Sequence, residues 1–277
     1  MKNKGYKCSE AVKEYIKERE YYGWRPRGER AVGFGKIEKG DSVLDLCCGA
    51  GMVARVVREK VGNKGKVVGI DQSADFIKYA KDFCNSENVE FIKGDVEKLD
   101  RIVKDQKFNV ILLLASWYWI KNKRRLCIQV GKHLKKDGRF VLSLLSDDLS
   151  DEKTYEFYWK YREALKNEVR RMYPKLNLSY FDNLPVIDND YVDKTVAELA
   201  SCGFYLKFSN KIQRTFSLED KLFTYNNPAR TEWVGPFSPD LRLKIIKSAL
   251  KKATVGLSNS QNLKRVTYYL TFSLDKI

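Results

Sequence analysis

Apolar residues recur along this chain with two periods. Short apolar runs bounded by turn-forming residues fall at Ser42–Leu46, Lys66–Ile70, Val89–Lys93, Phe108–Leu114 and Arg139–Leu145, and predict five strands. Helical spacing fills the gaps at 51–60, 73–85 and 121–135, and a helix at 9–20 precedes them. Asp137-Gly138 supplies a turn before the fifth strand. Beyond it, a charged, aromatic helix is predicted over 151–172, stopped by Pro174. Another covers Tyr191–Ser201, with Cys202-Gly203 as its stop signal. Phe204–Phe216 alternates like a strand, a polar and aromatic stretch spans 217–240, residues 241–253 read as a helix, and Arg265–Leu274 as the last strand. Alternating strand and helix imply an α/β protein with a mostly parallel sheet covered by helices. The last two strands lack a short crossover, which suits an antiparallel edge. No repeat, linker or low-complexity block divides the 277 residues.

Bulk properties narrow the class. The longest apolar run, Val110 to Ile120, has 11 residues, short of the roughly 18 that a membrane span needs. Met1 to Glu20 is rich in Lys and Glu and has no apolar segment of a secretory signal. The six cysteines (8, 47, 48, 84, 127 and 202) show neither a CxxC pair nor zinc spacing, so no metal site is expected. A reducing, cytoplasmic setting is the simplest expectation. The net charge is +16, which fits a solvated Lys-rich surface, a nucleic acid or an anionic small substrate. Lys121 to Lys136 holds seven Lys/Arg and no acid. With Leu126, Ile128, Val130 and Leu134, it reads as a helix with a basic outer face that could touch RNA.

Candidate chemistry begins where the first strand ends. Val43-Leu44-Asp45-Leu46-Cys47-Cys48-Gly49-Ala50-Gly51-Met52 is an apolar run, a glycine turn and a helix start. Carboxylates recur at the ends of the first three strands: Asp45, Asp71 and Asp95. Ligands in open α/β sheets bind at those strand ends, so the three should converge on one crevice. Asp71 is placed to accept both hydroxyls of a ribose. Gly49 and Gly51 let the backbone come close to a ligand. Gly49 to Ala54 fits the GxGxxG/A dinucleotide fingerprint, so an NAD(P)-dependent oxidoreductase stays in view. Asp45 argues against it, because a carboxylate repels a pyrophosphate. A cofactor with a cationic amino group and a sulfonium centre, such as S-adenosylmethionine, would welcome that carboxylate.

Val43–Ala54, Val67–Ser73, Val89–Leu99 and Phe108–Ile120 resemble the successive motifs of class I S-adenosylmethionine-dependent methyltransferases. The resemblance covers about residues 30–145. It implies a Rossmann-like, mostly parallel seven-stranded sheet with an antiparallel last strand and helical cap insertions. It further implies one methyltransferase domain over 1–277, with a cofactor-binding core at 30–148 and substrate-recognising insertions at 149–202 and 217–255. Asp45, Cys47, Gly49 and Gly51 match the motif around the methionine part of the cofactor, with Cys47 where many members have glycine. Asp71 matches the ribose-binding acid, with Gln72 beside it. Asp95 and Val96 match the pair at the adenine edge, and Leu114 and Ala115 the turn beside the transferred methyl. Trp117-Tyr118-Trp119, Gln213–Ser217 and the Trp233 region are similar to segments of the trans-aconitate and juvenile-hormone-acid methyltransferases, which methylate carboxylates.

A small-molecule methyltransferase is therefore expected, with an RNA methyltransferase as the alternative. No Asn/Asp-Pro-Pro-aromatic motif follows the fourth strand, which disfavours base N-methylation. The single histidine, His133, lies before strand 5, away from the crevice, so a histidine base is not expected. That leaves a carboxylate acceptor, which needs no base, a thiol or arsenic-type soft nucleophile, or an amine. An amine would lose its proton to Asp147, Asp148, Tyr118 or water. Tyr118, Trp119 and Asp147 are the candidate catalytic residues. Tyr21, Tyr22, Trp24, Trp117, Tyr118 and Trp119 would form an apolar box. Arg25, Arg27 and Arg30, in a Gly/Pro-containing loop, would clamp an anionic substrate.

Overall fold

The computed structural model describes residues 9–178, 188–225, 234, 237–257 and 262–274. Cys8 and Trp233 lie outside these residues, as do parts of the expected cap (179–187 and 226–233). Seven strands form one sheet in the order β3-β2-β1-β4-β5-β7-β6. They are β1 (Ser42–Leu46), β2 (Lys66–Asp71), β3 (Val89–Lys93), β4 (Phe108–Leu114), β5 (Leu134–Asp147), β6 (Phe204–Ser217) and β7 (Asn262–Leu274). Strands β1 to β5 pair in parallel, while β7 runs antiparallel to both β5 and β6. The order reverses between β1 and β4, which opens a crevice at their carboxyl ends.

The central strands are buried on both faces, which is why they read as unbroken apolar runs rather than alternating ones. Val43, Val67, Val110 and Val141 pack against α2 (Arg25–Phe34), α3 (Met52–Val61) and α4 (Ala74–Phe83). Leu44, Val68, Ile111 and Leu142 pack on the other face. Its helices are α5 (Leu99–Val103), α6 (Lys123–His133) and α8 (Asn189–Ala200). Within α6, Leu126, Cys127 and Val130 are buried, whereas Ile128 lies on the exposed basic side. A separate core joins α7 (Glu152–Met172) to α10 (Pro239–Ala253) through Leu165, Val169, Ile245 and Leu250. Between them in sequence lies α9 (Leu218–Tyr225). The stretch 149–202 thus divides: α7 joins the α10 pair, while α8 lies on the sheet. The N-terminal helix α1 (Ser9–Tyr22) packs Val12 and Ile16 on Ala50, Met52 and Phe76, over the start of α3.

One local expectation changes. Arg25–Phe34 is a helix, not a loop. Pro26 lies in its first turn, where a missing N–H costs nothing. Gly28 sits where α2 crosses α3: a Cβ there would lie 2.6 Å from Val56 Cγ2. Both loop signals are therefore helix features, one of start and one of packing.

Candidate active site

Strand β1 ends at Leu46, and the chain turns through Cys47, Cys48 and Gly49 into α3. Cys47 has φ 57, Gly49 φ 55 and Gly51 φ 75, all in the left-handed region. A Cβ on Gly49 would meet nothing nearer than Tyr15 Oη at 3.9 Å, so this turn faces open space beneath α1. Gly51 has an added, internal reason to be glycine, because its Cβ would lie 2.8 Å from the Phe91 ring.

The turn is tied to β2 by Asp71. The Gly49 N–H donates to Asp71 Oδ2 at 2.9 Å, and the Ser73 N–H to Oδ1 at 2.9 Å. A carboxylate has about four acceptor sites, so further donors can still be received. Burial pushes the Asp71 carboxyl up, against the pull of the backbone donors of Ser73, Gly49 and Gln72. Asp45 is 3% exposed, and its Oδ2 has no hydrogen-bond partner. Burial first, and the neighbouring Asp71 charge second, push its carboxyl up to about 7. A buried, half-orphaned carboxylate is costly unless a cationic donor meets it.

The remaining residues lie around the same edge. Asp95 is exposed and accepts the Glu97 N–H at 3.0 Å, capping a short 3-10 turn whose Val96 is buried. Gln72 is exposed at the end of β2. Leu114 is buried at the end of β4, and Ala115 takes φ 54 with its N–H 3.0 Å from Ser143 Oγ. Burial first, with the Asp71 and Asp45 charges, raises the Cys47 thiol.

The expected catalytic residues are not assembled on one point. Tyr118 is half-buried beside the core, Trp119 is 47% exposed, and Trp117 is core. Asp147 pairs with buried Lys221 and lies 3.7 Å from Arg265 Nε. Asp148 accepts Ser150 Oγ at 2.6 Å and the Gln213 side chain. The aromatic box is therefore dispersed. Trp24 alone of its described side chains lines the cavity described next, and the side chains of Tyr21 and Tyr22 lie outside the described ones. His133 sits at the opposite end of the sheet, with Nε2 3.0 Å from Asp100 Oδ1 and Nδ1 2.9 Å from the Gln106 carbonyl.

Beside the crevice, and sharing Ala115 with it, lies a cavity of about 80 Å³. It is walled by α1, α2 and the ends of β5, β6 and β7, and it contains Arg19, Arg27, Arg30, Arg214 and Arg265. Arg25 is not among them; it turns outward to Glu59 at 2.8 Å. Arg19, Arg214 and Arg265 were beyond sequence reasoning, because nothing local places them together. The pairing of β6 with β7 sets Arg214 opposite Arg265, and α1 brings Arg19 to them.

A doubly wound sheet with a glycine turn and strand-end carboxylates defines a nucleotide-type α/β site. Residues 37–178 match the methyltransferase domain family (Methyltransf_31), and the chain belongs to it. It is 30% identical over 152 residues to malonyl-[acyl-carrier protein] O-methyltransferase 2 of Ilyobacter polytropus, covering 54% of each chain. It therefore spans about half of that relative's length. Among solved structures, a putative methyltransferase of Bacillus halodurans matches at TM-score 0.56 and 18% identity, covering 88% of this chain and 97% of that one. A SAM-dependent methyltransferase of Thiobacillus denitrificans, in complex with S-adenosyl-L-homocysteine, matches at TM-score 0.53 and 14% identity, covering 90% and 91%. Among the described residues no helix is long and apolar enough to cross a membrane.

Proposed function

We propose that this chain is an S-adenosylmethionine-dependent methyltransferase acting on a small-molecule carboxylate. The observation that carries the reading is the buried, unpartnered Oδ2 of Asp45 at the switch point of the sheet. S-adenosylmethionine, when bound, supplies a methyl on a sulfonium, which a nucleophile takes in line as the C–S electron pair returns to sulfur. Asp45 meets the ammonium of the methionine part, close to the Cys47, Gly49 and Gly51 turn. Asp71 spends its remaining lone pairs on the ribose hydroxyls, with Gln72 at its side. Asp95 and Val96 border the adenine. Leu114 and Ala115 border the reacting methyl.

A carboxylate acceptor needs no proton removed, which suits a chain whose one histidine lies at the far end of the sheet. Catalysis then rests on placement. Tyr118 and Trp119, in the turn after β4, flank the crevice rather than the acceptor cavity, and Asp147 serves as a positioning residue for Arg265. Helices α1 and α2 cover the acceptor cavity. The similarity to trans-aconitate and juvenile-hormone-acid methyltransferases, and the relative that acts on malonyl-[acyl-carrier protein], support the carboxylate. The free thiols of Cys47, Cys48, Cys84, Cys127 and Cys202 suit the reducing cytoplasm.

Calorimetric titration with S-adenosylmethionine tests this. Asp45 is pushed up to about 7, so it is largely protonated below that pH and must ionise to meet a cation. Affinity should therefore rise between pH 6 and pH 8 by about tenfold, with proton release, and level off above. Asp45→Asn should flatten the profile and weaken binding at pH 8. Absence of binding at millimolar cofactor, or a wild-type profile in Asp45→Asn, would sink the assignment. Binding of NADH instead would restore the oxidoreductase.

A further inference from the structure

The arginine cavity is a site in its own right. Arg214 and Arg265 stand directly opposite each other on β6 and β7, an arrangement of like charges that destabilises a strand pair. Arg30 comes from α2 and faces Arg214, and burial together with that charge pushes the Arg214 guanidinium below its ordinary value. Arg19 enters from α1 with its Nε buried and without a hydrogen-bond partner. Near these four guanidiniums stand Glu18 in the wall and Asp147 on Arg265, and Lys221 competes for Asp147. Arg19, Arg30, Arg214 and Arg265 against those two acids leave a surplus of two positive charges, half-buried, from four different elements. A fold keeps such an uncompensated cluster only if something else neutralises it. The aromatic rings of Trp24, Phe216 and Tyr269 line the same space, which suits a carbon skeleton between the charges. The site is a cavity under α1, not an open track, so a nucleic-acid backbone does not fit it.

We infer that this cavity binds the methyl acceptor as a small polyanion carrying at least two carboxylate or phosphate groups. Arg30 and Arg214 would grip the group that is not methylated, and the rim at Ala115 would present the other to the crevice. Guanidinium forks match such oxyanions in bidentate fashion. Arg19 and Arg265 hold the remaining charge, the latter oriented by Asp147. The proposal rests on the methyltransferase reading for the identity of its ligand as acceptor, though not for the binding itself.

The test is calorimetry on the full chain at low ionic strength with S-adenosylhomocysteine present. Propane-1,2,3-tricarboxylate and fructose 1,6-bisphosphate serve as the carboxylate and phosphate probes, and acetate as the singly charged control. One probe should bind at least about tenfold more tightly than acetate, and its identity tells carboxylate from phosphate. Arg30→Gln and Arg214→Gln should each weaken it by about tenfold and leave S-adenosylhomocysteine affinity unchanged. Arg25→Gln, outside the cavity, should change neither. Failure of both probes to outbind acetate, or equal losses in Arg25→Gln and Arg214→Gln, would overturn the proposal. Loss of S-adenosylhomocysteine binding with polyanion binding intact would instead count against the methyltransferase reading alone.

Discussion

At the scale of single residues, Cys47 is the most informative position. It occupies φ 57, a conformation in which an L side chain crowds the following carbonyl at a cost of about 1–2 kcal/mol. Its thiol offsets part of that cost by packing partly against the core. Glycine would relieve the backbone but forfeit the packing. Cys47→Gly should therefore fall within about 1 kcal/mol of wild type in chemical denaturation. Cys47→Val should lose about 2 kcal/mol or more, because a β-branched side chain fits this region worst. Equal stability of the Gly and Val variants would show that the turn relaxes out of the left-handed region. The same cysteine marks a limit of sequence reading. The motif shows that a residue departs from glycine, but not that the glycine backbone has been kept.

At the scale of elements, legibility followed locality. Strands β1, β3 and β4 fall where the apolar runs predict them, and α7 starts within a residue of expectation at a capping Asp151. Segments whose signals depend on a distant partner carry no such local mark. Helix α2 looked like a loop because its Pro and Gly are explained by a helix start and by Val56 of another helix. Helix α9 was missed inside the polar stretch, since its apolar face exists only once Leu218 meets the α7–α10 core. Likewise, the strand-end carboxylates were legible as a register, while the arginine cavity needed the β6–β7 pairing. The α7–α10 pair has its own core, yet it is tied to the sheet. The Lys264 N–H donates to Thr154 Oγ1 at 2.7 Å, and Asp147 holds Lys221. The two should therefore unfold together. Leu165→Ala, at a fully buried position of that core, should cost about 2–5 kcal/mol and shift one denaturation transition without splitting it. Two transitions by tryptophan fluorescence and circular dichroism would show instead that the pair folds independently.

At the scale of the whole molecule, the charge of +16 would act on the cofactor and the proposed acceptor with opposite sign. S-adenosylmethionine is a net cation: two positive centres outweigh one carboxylate. The long-range field repels it, and only the buried acid of Asp45, with Asp71 beside it, reverses the sign locally. The polyanionic acceptor proposed above would be drawn in by the same field and meet the arginine cavity at its end. Salt separates the two effects. Raising the ionic strength from about 0.01 M to about 1 M shortens the screening length from about 30 Å to about 3 Å. The association rate of the anionic acceptor, followed by stopped-flow tryptophan quenching, should then fall by about tenfold or more. The association rate of S-adenosylmethionine should hold steady or rise. The contrast matters more than either slope, because general salting effects on the protein would move both rates the same way. Parallel changes for the two ligands would mean that the surface charge serves only solubility and that the buried clusters act at contact range alone.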